Sequence, residues 1–205
     1  MKMPIIALGR QFGSGGREIG KRLAEKLNIR CYDRELITLA AQKAEVREEL
    51  FAGREEKAPN PWLFTGVYEG GPQVRKGQPA EDILFEMQSQ VILELAQMGP
   101  CIIVGRCAGV ILRELEPLNV FVHADIRARL ARCAARAPEG EQMTEAELLR
   151  RMQQIDKGRA ACRELFADGK WGSREVCHLC VNTTGREIGS LAAALAGYAE
   201  HWFSP

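Results

Sequence analysis

The sequence predicts an α/β protein built on a five-stranded parallel sheet flanked by helices. Three observations carry this reading. Five short strand-like runs, at 5–8, 30–32, 101–104, 120–123 and 179–181, are spread along the 205 residues. The clearest of them are continuous in apolar residues rather than alternating, which suits strands buried on both faces. Helical periodicities separate them, and strands alternating with helices imply right-handed parallel crossovers.

Taken in order, residues 5–8 (IIAL) end at Gly9 and feed a glycine-rich stretch, GRQFGSGGREIG, over 9–20. A helix follows from about Arg17, with Ile19, Leu23, Ala24 and Leu27 at 3.6-residue spacing. After the short strand at 30–32, Asp33 stands where it can cap a helix through Leu36, Ile37 and Ala40. From 45 to 79, four prolines and five glycines interrupt any period. That stretch reads as a loop-rich insertion, a mobile flap. Its Trp62, Phe64 and Tyr68 form either a small satellite core or a stacking surface for substrate.

Pro79 then opens a helix with Ile83, Met87, Val91 and Leu95 on one face, stopped by Gly99 and Pro100. The strand at 101–104 (CIIV) leads into Gly105, Arg106 and a short helix. After the strand at 120–123 (VFVH), a helix from Asp125 carries Arg127, Arg129, Arg132 and Arg136. Arg127 and Arg129 read as ordinary solvated arginines. The sequence APEG at 137–140 breaks that helix, and Thr144 with Glu147 forms a capping box for a long one through Leu148, Met152 and Ile155. After the strand at 179–181, Thr184 and Glu187 suggest a second capping box. It would open a final helix with Ile188, Leu191, Leu195, Ala199 and Trp202 inward. The chain thus reads as one domain, 1–205, containing the 45–79 insertion and an arginine-rich, lid-like region at 132–163.

Bulk properties narrow the partners. The chain has 28 basic and 27 acidic residues, a net charge of +1, so any cationic site is local and nucleic acid is not expected. No apolar run approaches the roughly 20 residues that span a bilayer, and MKMPIIALG is too short for a signal peptide. Membrane association is therefore not expected, and small-molecule partners are. Seven cysteines without regular spacing suggest reduced thiols and a cytoplasmic protein. Cys177 and Cys180 flank His178 in one CxxC, but no second ligand pair has zinc spacing. They read as buried strand cysteines, and no protein-held metal is expected.

In open parallel sheets, ligands gather at the carboxyl ends of the strands. The glycine loop, Gly105 with Arg106, and Asn182, Thr183 and Thr184 all follow predicted strands at that edge, so three polar segments converge. Strand, glycine loop and helix together aim backbone N–H groups and a positive helix end at an anion. The phosphate-loop pattern is G-x-x-x-x-G-K-[ST]. Here Arg10 takes the first glycine's place, Gly15 the second, Gly16 the lysine's and Arg17 the hydroxyl's. The amide nest of Gly13, Ser14, Gly15 and Gly16 survives, but the lysine charge must come from elsewhere. Arg10, Arg17 and Lys21 are local candidates, since an arginine grips phosphate bidentately. Glu18 can replace the magnesium-ligating hydroxyl, directly or through water. A dinucleotide G-x-G-x-x-G reading fails because Glu18 sits at the third glycine.

The stretches GRQFGSGGREIGKRLAEKL and CYDRELI resemble the cytidylate kinase-like proteins, a branch of the P-loop nucleoside monophosphate kinases. IIVGRCAGVIL, VFVHADIRARLARC, IDKGRAACRELFADGKWG and CVNTTGREIG continue the likeness over nearly the whole chain. The resemblance implies a P-loop NTPase fold, ATP and Mg2+ as cofactors, a monophosphate-binding insertion and an arginine-rich lid. It puts acceptor contacts at Asp33, Arg34 and Arg106, and lid residues at Arg132, Asp156 and Arg159, with Arg163 secondary. Cytidylate kinases keep the loop lysine; the cytidylate kinase-like branch commonly shows the FGSGG form.

Phosphoryl transfer needs positioning and charge neutralisation more than covalent chemistry. The expected roles follow. Amides of 13–16 hold the β-phosphate, with Arg17 or Lys21 near the β/γ-bridge. Arg132 and Arg159 close from the lid, and Arg106 anchors the acceptor. Asp33 either caps a helix or recognises the acceptor's sugar or base. Asp156 either organises magnesium-bound water or holds an arginine. The function expected is phosphoryl transfer from ATP to a nucleoside monophosphate, cytidylate-like, or a related small molecule. The alternative is a nucleotide-binding sensor that kept the loop without turnover.

Overall fold

The computed structural model describes residues 3–33, 80–136 and 143–204. Within them lie five strands: β1 (Ile5–Arg10), β2 (Arg30–Tyr32), β3 (Cys101–Val104), β4 (Leu118–His123) and β5 (Leu179–Asn182). Their order across the sheet is β2-β3-β1-β4-β5, and every pairing is parallel. The helices are α1 (Gly16–Leu27), α2 (Ala80–Gln97), α3 (Ala108–Ile111), α4 (Ile126–Ala134), α5 (Glu145–Phe166) and α6 (Ile188–Phe203). The predicted parallel α/β sheet is therefore present, with β1 at its centre.

The continuous apolar strands are explained by the two faces they must satisfy. Ile6, Leu8, Ile102, Val104, Val120 and Val122 pack with Ile19 and Leu23 of α1 and with Leu195 and Ala199 of α6. Ile5, Ala7, Cys101 and Ile103 face the other way, toward Val91, Ile92, Leu95 and Ala96 of α2 and Leu112. Fully buried side chains such as Ile6, Leu8 and Ile102 each stabilise the fold by about 2 kcal/mol.

Three local expectations are corrected. Thr184 does not share a capping box: its hydroxyl accepts from the Asp125 N–H at 2.9 Å. Glu187 alone caps α6, accepting from the N–H groups of Gly189 and Ser190. Trp202 is not inward; it is 43% exposed and stacks beside His178, at 4.8 Å, and Tyr198, at 6.0 Å. Cys180 is exposed because β5 is an edge strand with only β4 beside it, and Cys177 precedes that strand and is half-buried. The predicted capping box at Thr144 and Glu147 is present. The helix after Asp33 and the 45–79 insertion lie outside the described residues.

Candidate functional site

The carboxyl edge of the sheet is built first by the loop after β1. Gln11 N–H donates to the Val122 carbonyl at 3.0 Å, and Ser14 Oγ donates back to the Gln11 carbonyl at 2.8 Å. Gly13 and Gly15 adopt φ of +73° and +82°, conformations that glycine takes without a Cβ penalty. Ser14 is fully buried, and its carbonyl accepts the Thr183 hydroxyl at 2.7 Å. Loop carbonyls are thereby drawn into the protein. The first intrahelical bond of α1 runs from Ile19 N–H to Gly15 O. The Gly16 N–H precedes it and donates to Ser14 Oγ at 3.4 Å, while the amides of Arg17 and Glu18 have no helical acceptor and present donors at the positive end of α1.

A second layer holds this loop from α4 and α5. Arg129, which the sequence reading left in solvent, is buried. Its Nε donates to the Phe12 carbonyl at 2.7 Å, and its Nη2 pairs with Asp156. Asp156 also accepts from Phe12 N–H at 2.7 Å and from Arg159 Nη1 at 3.4 Å. Burial raises the Asp156 pKa above the ordinary carboxylate value, while the Phe12 amide, Arg129 and Arg159 oppose the rise. Arg132 Nη1 donates to the Gly13 carbonyl at 2.7 Å and its Nη2 to that of Thr183 at 3.3 Å. Arg129 and Arg132 are three apart on one helix, so the available signal was their shared face.

The third part is a cleft of about 870 Å³, counting its open mouth, lined by Arg10, Arg106, Arg159 and Arg163 and by Phe121 and Trp171. The two rings meet edge to face at 5.0 Å. Gly105 N–H donates to Leu8 O at 2.9 Å, tying the segment after β3 to β1. Arg106 and Cys107 both hold left-handed φ, +56° and +52°, uncommon for residues with side chains. Arg159 Nη1 donates to the Arg10 carbonyl at 3.0 Å, and its guanidinium lies 5.8 Å from the Phe12 ring centroid. Burial lowers the Arg159 pKa to about 9, with Arg10 pushing the same way. Arg163 Nη1 donates to the carbonyls of Asp168 and Gly169, closing the end of α5.

The structure thus brings Gly13, Ser14, Gly15, Gly16 and Arg17 together with Arg132, Asp156 and Arg159 at one edge, with Arg106 across the cleft. Asp33 joins them through Arg17, at 2.6 Å, and Arg10, at 3.4 Å. Glu18 is engaged by Arg22, at 2.9 Å, and by Arg136. Lys21 points from the exposed side of α1. Arg34 lies outside the described residues. The sequence reading also missed Trp171, which only the return of the chain after α5 carries to Phe121. Among the described residues no group of three or more His, Cys, Asp or Glu could hold a metal ion. No described helix is long and apolar enough to cross a membrane.

Solved structures share this fold. A protein from Eubacterium ventriosum is 24% identical, covers 96% of this chain and 98% of its own, and superposes with a TM-score of 0.69. Shikimate kinase from Bacteroides thetaiotaomicron is 17% identical over 97% of this chain and 99% of its own, with a TM-score of 0.57. Shikimate kinase from Acinetobacter baumannii, solved with shikimate, is 16% identical over 99% and 96%, with a TM-score of 0.55. These likenesses show the fold, that of the P-loop kinases. No curated protein matches the chain. The model of the cytidylate kinase-like family matches residues 5–185, and with nearly the whole chain inside that match, the protein belongs to this family of the phosphotransferase kind.

Proposed function

We propose that the protein transfers the terminal phosphoryl group of ATP to a nucleoside monophosphate, cytidylate-like, or to a related small molecule. The observation that carries this reading is the juxtaposition of two anion sites. At the start of α1 the amides of Arg17 and Glu18, which have no helical acceptor, lie at the carboxyl edge, and the arginine-lined cleft opens beside them. One site suits the donor's phosphates and the other the acceptor's.

In this reading the amides of 13–16 hold the β-phosphate. Arg17 stands beside the β/γ-bridge, steered by Asp33. Arg106 and Arg159 take the acceptor side of the cleft. Arg132 shapes the nest by holding the Gly13 carbonyl. The bond from the γ-phosphorus to the bridging oxygen breaks, ADP leaves with its electron pair, and an acceptor oxygen forms the new bond. Mg2+ supplies charge neutralisation when it arrives on the nucleotide phosphates. Asp156 lies near enough to the loop to order water around it, although its carboxylate already receives Phe12 N–H and two arginines. Seven free cysteines suit a reducing cytoplasm.

The glycine at position 16 favours a second reading, a nucleotide-binding sensor without turnover. ADP release from ATP and Mg2+, measured with a panel of CMP, dCMP, UMP, AMP and GMP, separates the two. Acceptor-dependent ADP release is expected. ATP binding with no turnover on any acceptor overturns the kinase and favours the sensor.

A further inference from the structure

The loop has glycine where phosphate loops carry lysine, and the packing shows why no side chain stands there. A Cβ on Gly16 would lie 2.5 Å from the Arg10 Cβ and 3.2 Å from the Val122 Cβ. The first distance is shorter than real Cβ contacts, so positions 10 and 16 cannot both bear side chains. In the G-x-x-x-x-G-K pattern, position 10 would be the glycine and position 16 the lysine. Here the two are interchanged.

Arg10 closes β1 in register with Val122, so the sheet sets where its side chain begins. Its far end comes against the turn after β3, a softer constraint because a flexible side-chain tip can shift. A Cβ on Gly105 would lie 1.6 Å from Arg10 Nη1 and 2.7 Å from its Cζ. Glycine at 16 therefore clears the root of this side chain, and glycine at 105 clears its tip. The tip lines the cleft with Arg106 and Arg159. Its contact to Asp33 is long, 3.4 Å, and that carboxylate meets Arg17 at 2.6 Å. Burial is the main cause that lowers the Arg10 pKa, and Arg17 adds to it against the pull of Asp33 and Asp156. A half-buried cation with only one long ion-pair contact is relieved by an incoming anion.

We propose that Arg10 supplies the charge the loop lacks at position 16, the cation having moved from the first residue of α1 to the last residue of β1. The guanidinium meets the phosphoryl group as it passes from the loop toward the Arg106 segment. This rests on the phosphotransfer reading. Approaching from the acceptor side, Arg10 acts on turnover more than on ATP affinity.

The test is a reciprocal exchange. Arg10→Gln keeps the root packing and removes the charge; it is expected to lower kcat by about 100-fold with a smaller change in ATP affinity. Arg10→Gly is expected to do the same. The double variant Arg10→Gly/Gly16→Lys restores the usual arrangement, with Val122 giving by a few tenths of an ångström. It is expected to regain at least about tenfold over Arg10→Gly. Thermal melts confirm that each variant is folded. Arg10→Gln within about threefold of the parent, or a folded double variant no better than Arg10→Gly, overturns the proposal. If the parent protein turns over no acceptor, the phosphotransfer reading fails by itself. ATP titration then decides on Arg10: about tenfold weaker binding in Arg10→Gln supports it, and unchanged binding overturns it.

Discussion

Arg129 and Arg159 both reach Asp156, yet they stand in different surroundings. Arg129 is buried, and its donors go to the Phe12 carbonyl and the carboxylate. Its neighbour Arg132 likewise donates to the carbonyls of Gly13 and Thr183. Arg159, among the described residues, makes its bonds through Nη1 alone and lines the open cleft with Arg10 and Arg106. One wall of arginines is consumed by the backbone of the loop; the other lines the cavity. The difference teaches that a guanidinium is assigned by where its N–H groups go, not by the charge it brings. The first wall builds the loop, and the second borders the cleft.

Substitutions can break this division. Arg129→Ala leaves Asp156 buried with less counter-charge and frees the Phe12 carbonyl, so a loss of roughly 3–5 kcal/mol in stability is expected. Urea unfolding measures it, and a loss below about 1 kcal/mol would put Arg129 with the cleft arginines instead. Arg159→Ala is expected to reverse the pattern, lowering kcat/KM by about 100-fold, or ~2.7 kcal/mol, with a small change in melting temperature. A large drop in melting temperature without that loss would erase the contrast.

Thr183→Val probes the link between β5 and the loop. It deprives the buried Ser14 carbonyl of its 2.7 Å donor and is expected to cost about 1–2 kcal/mol. Turnover should fall only as far as the loop loosens, which hydrogen exchange at 13–16 would report. The smallest effect concerns pH. Burial raises the Asp156 pKa, so the folded protein takes up this proton before the unfolded chain as pH falls. For this group alone, stability therefore rises as pH drops through the folded pKa. Function moves the other way, because a neutral Asp156 no longer pairs with Arg129 and Arg159. The acid limb of kcat/KM should lie above the range of an exposed carboxylate. A limb that stays in place in Asp156→Asn belongs to another group.

The local part of the site was legible in the sequence because its chemistry is local. Strand, glycines and helix follow one another within 5–27, and the periodicity of Ile19, Leu23 and Ala24 puts α1 on the sheet. Gly105 and Arg106 were equally readable as residues just past a buried strand. Arg129 was not, because a helical arginine is usually solvated and only the position of Asp156 on α5 makes burial tolerable. The Thr184 half of the expected capping box failed for a related reason: its hydroxyl is taken by the Asp125 amide, which follows the neighbouring strand β4.

From the sequence alone come the order of elements, the parallel sheet, the edge at which polar segments gather and the absence of lysine at position 16. All of these rest on neighbours in the chain or on periodicity along it. The tertiary structure decided which arginine occupies which wall, and that Arg10 fills the space a side chain at position 16 would need. Those outcomes depend on through-space packing between β1, α1 and the turn after β3. Contact between such segments leaves no period or spacing to read, because each glycine involved is an ordinary turn residue until its partner is known.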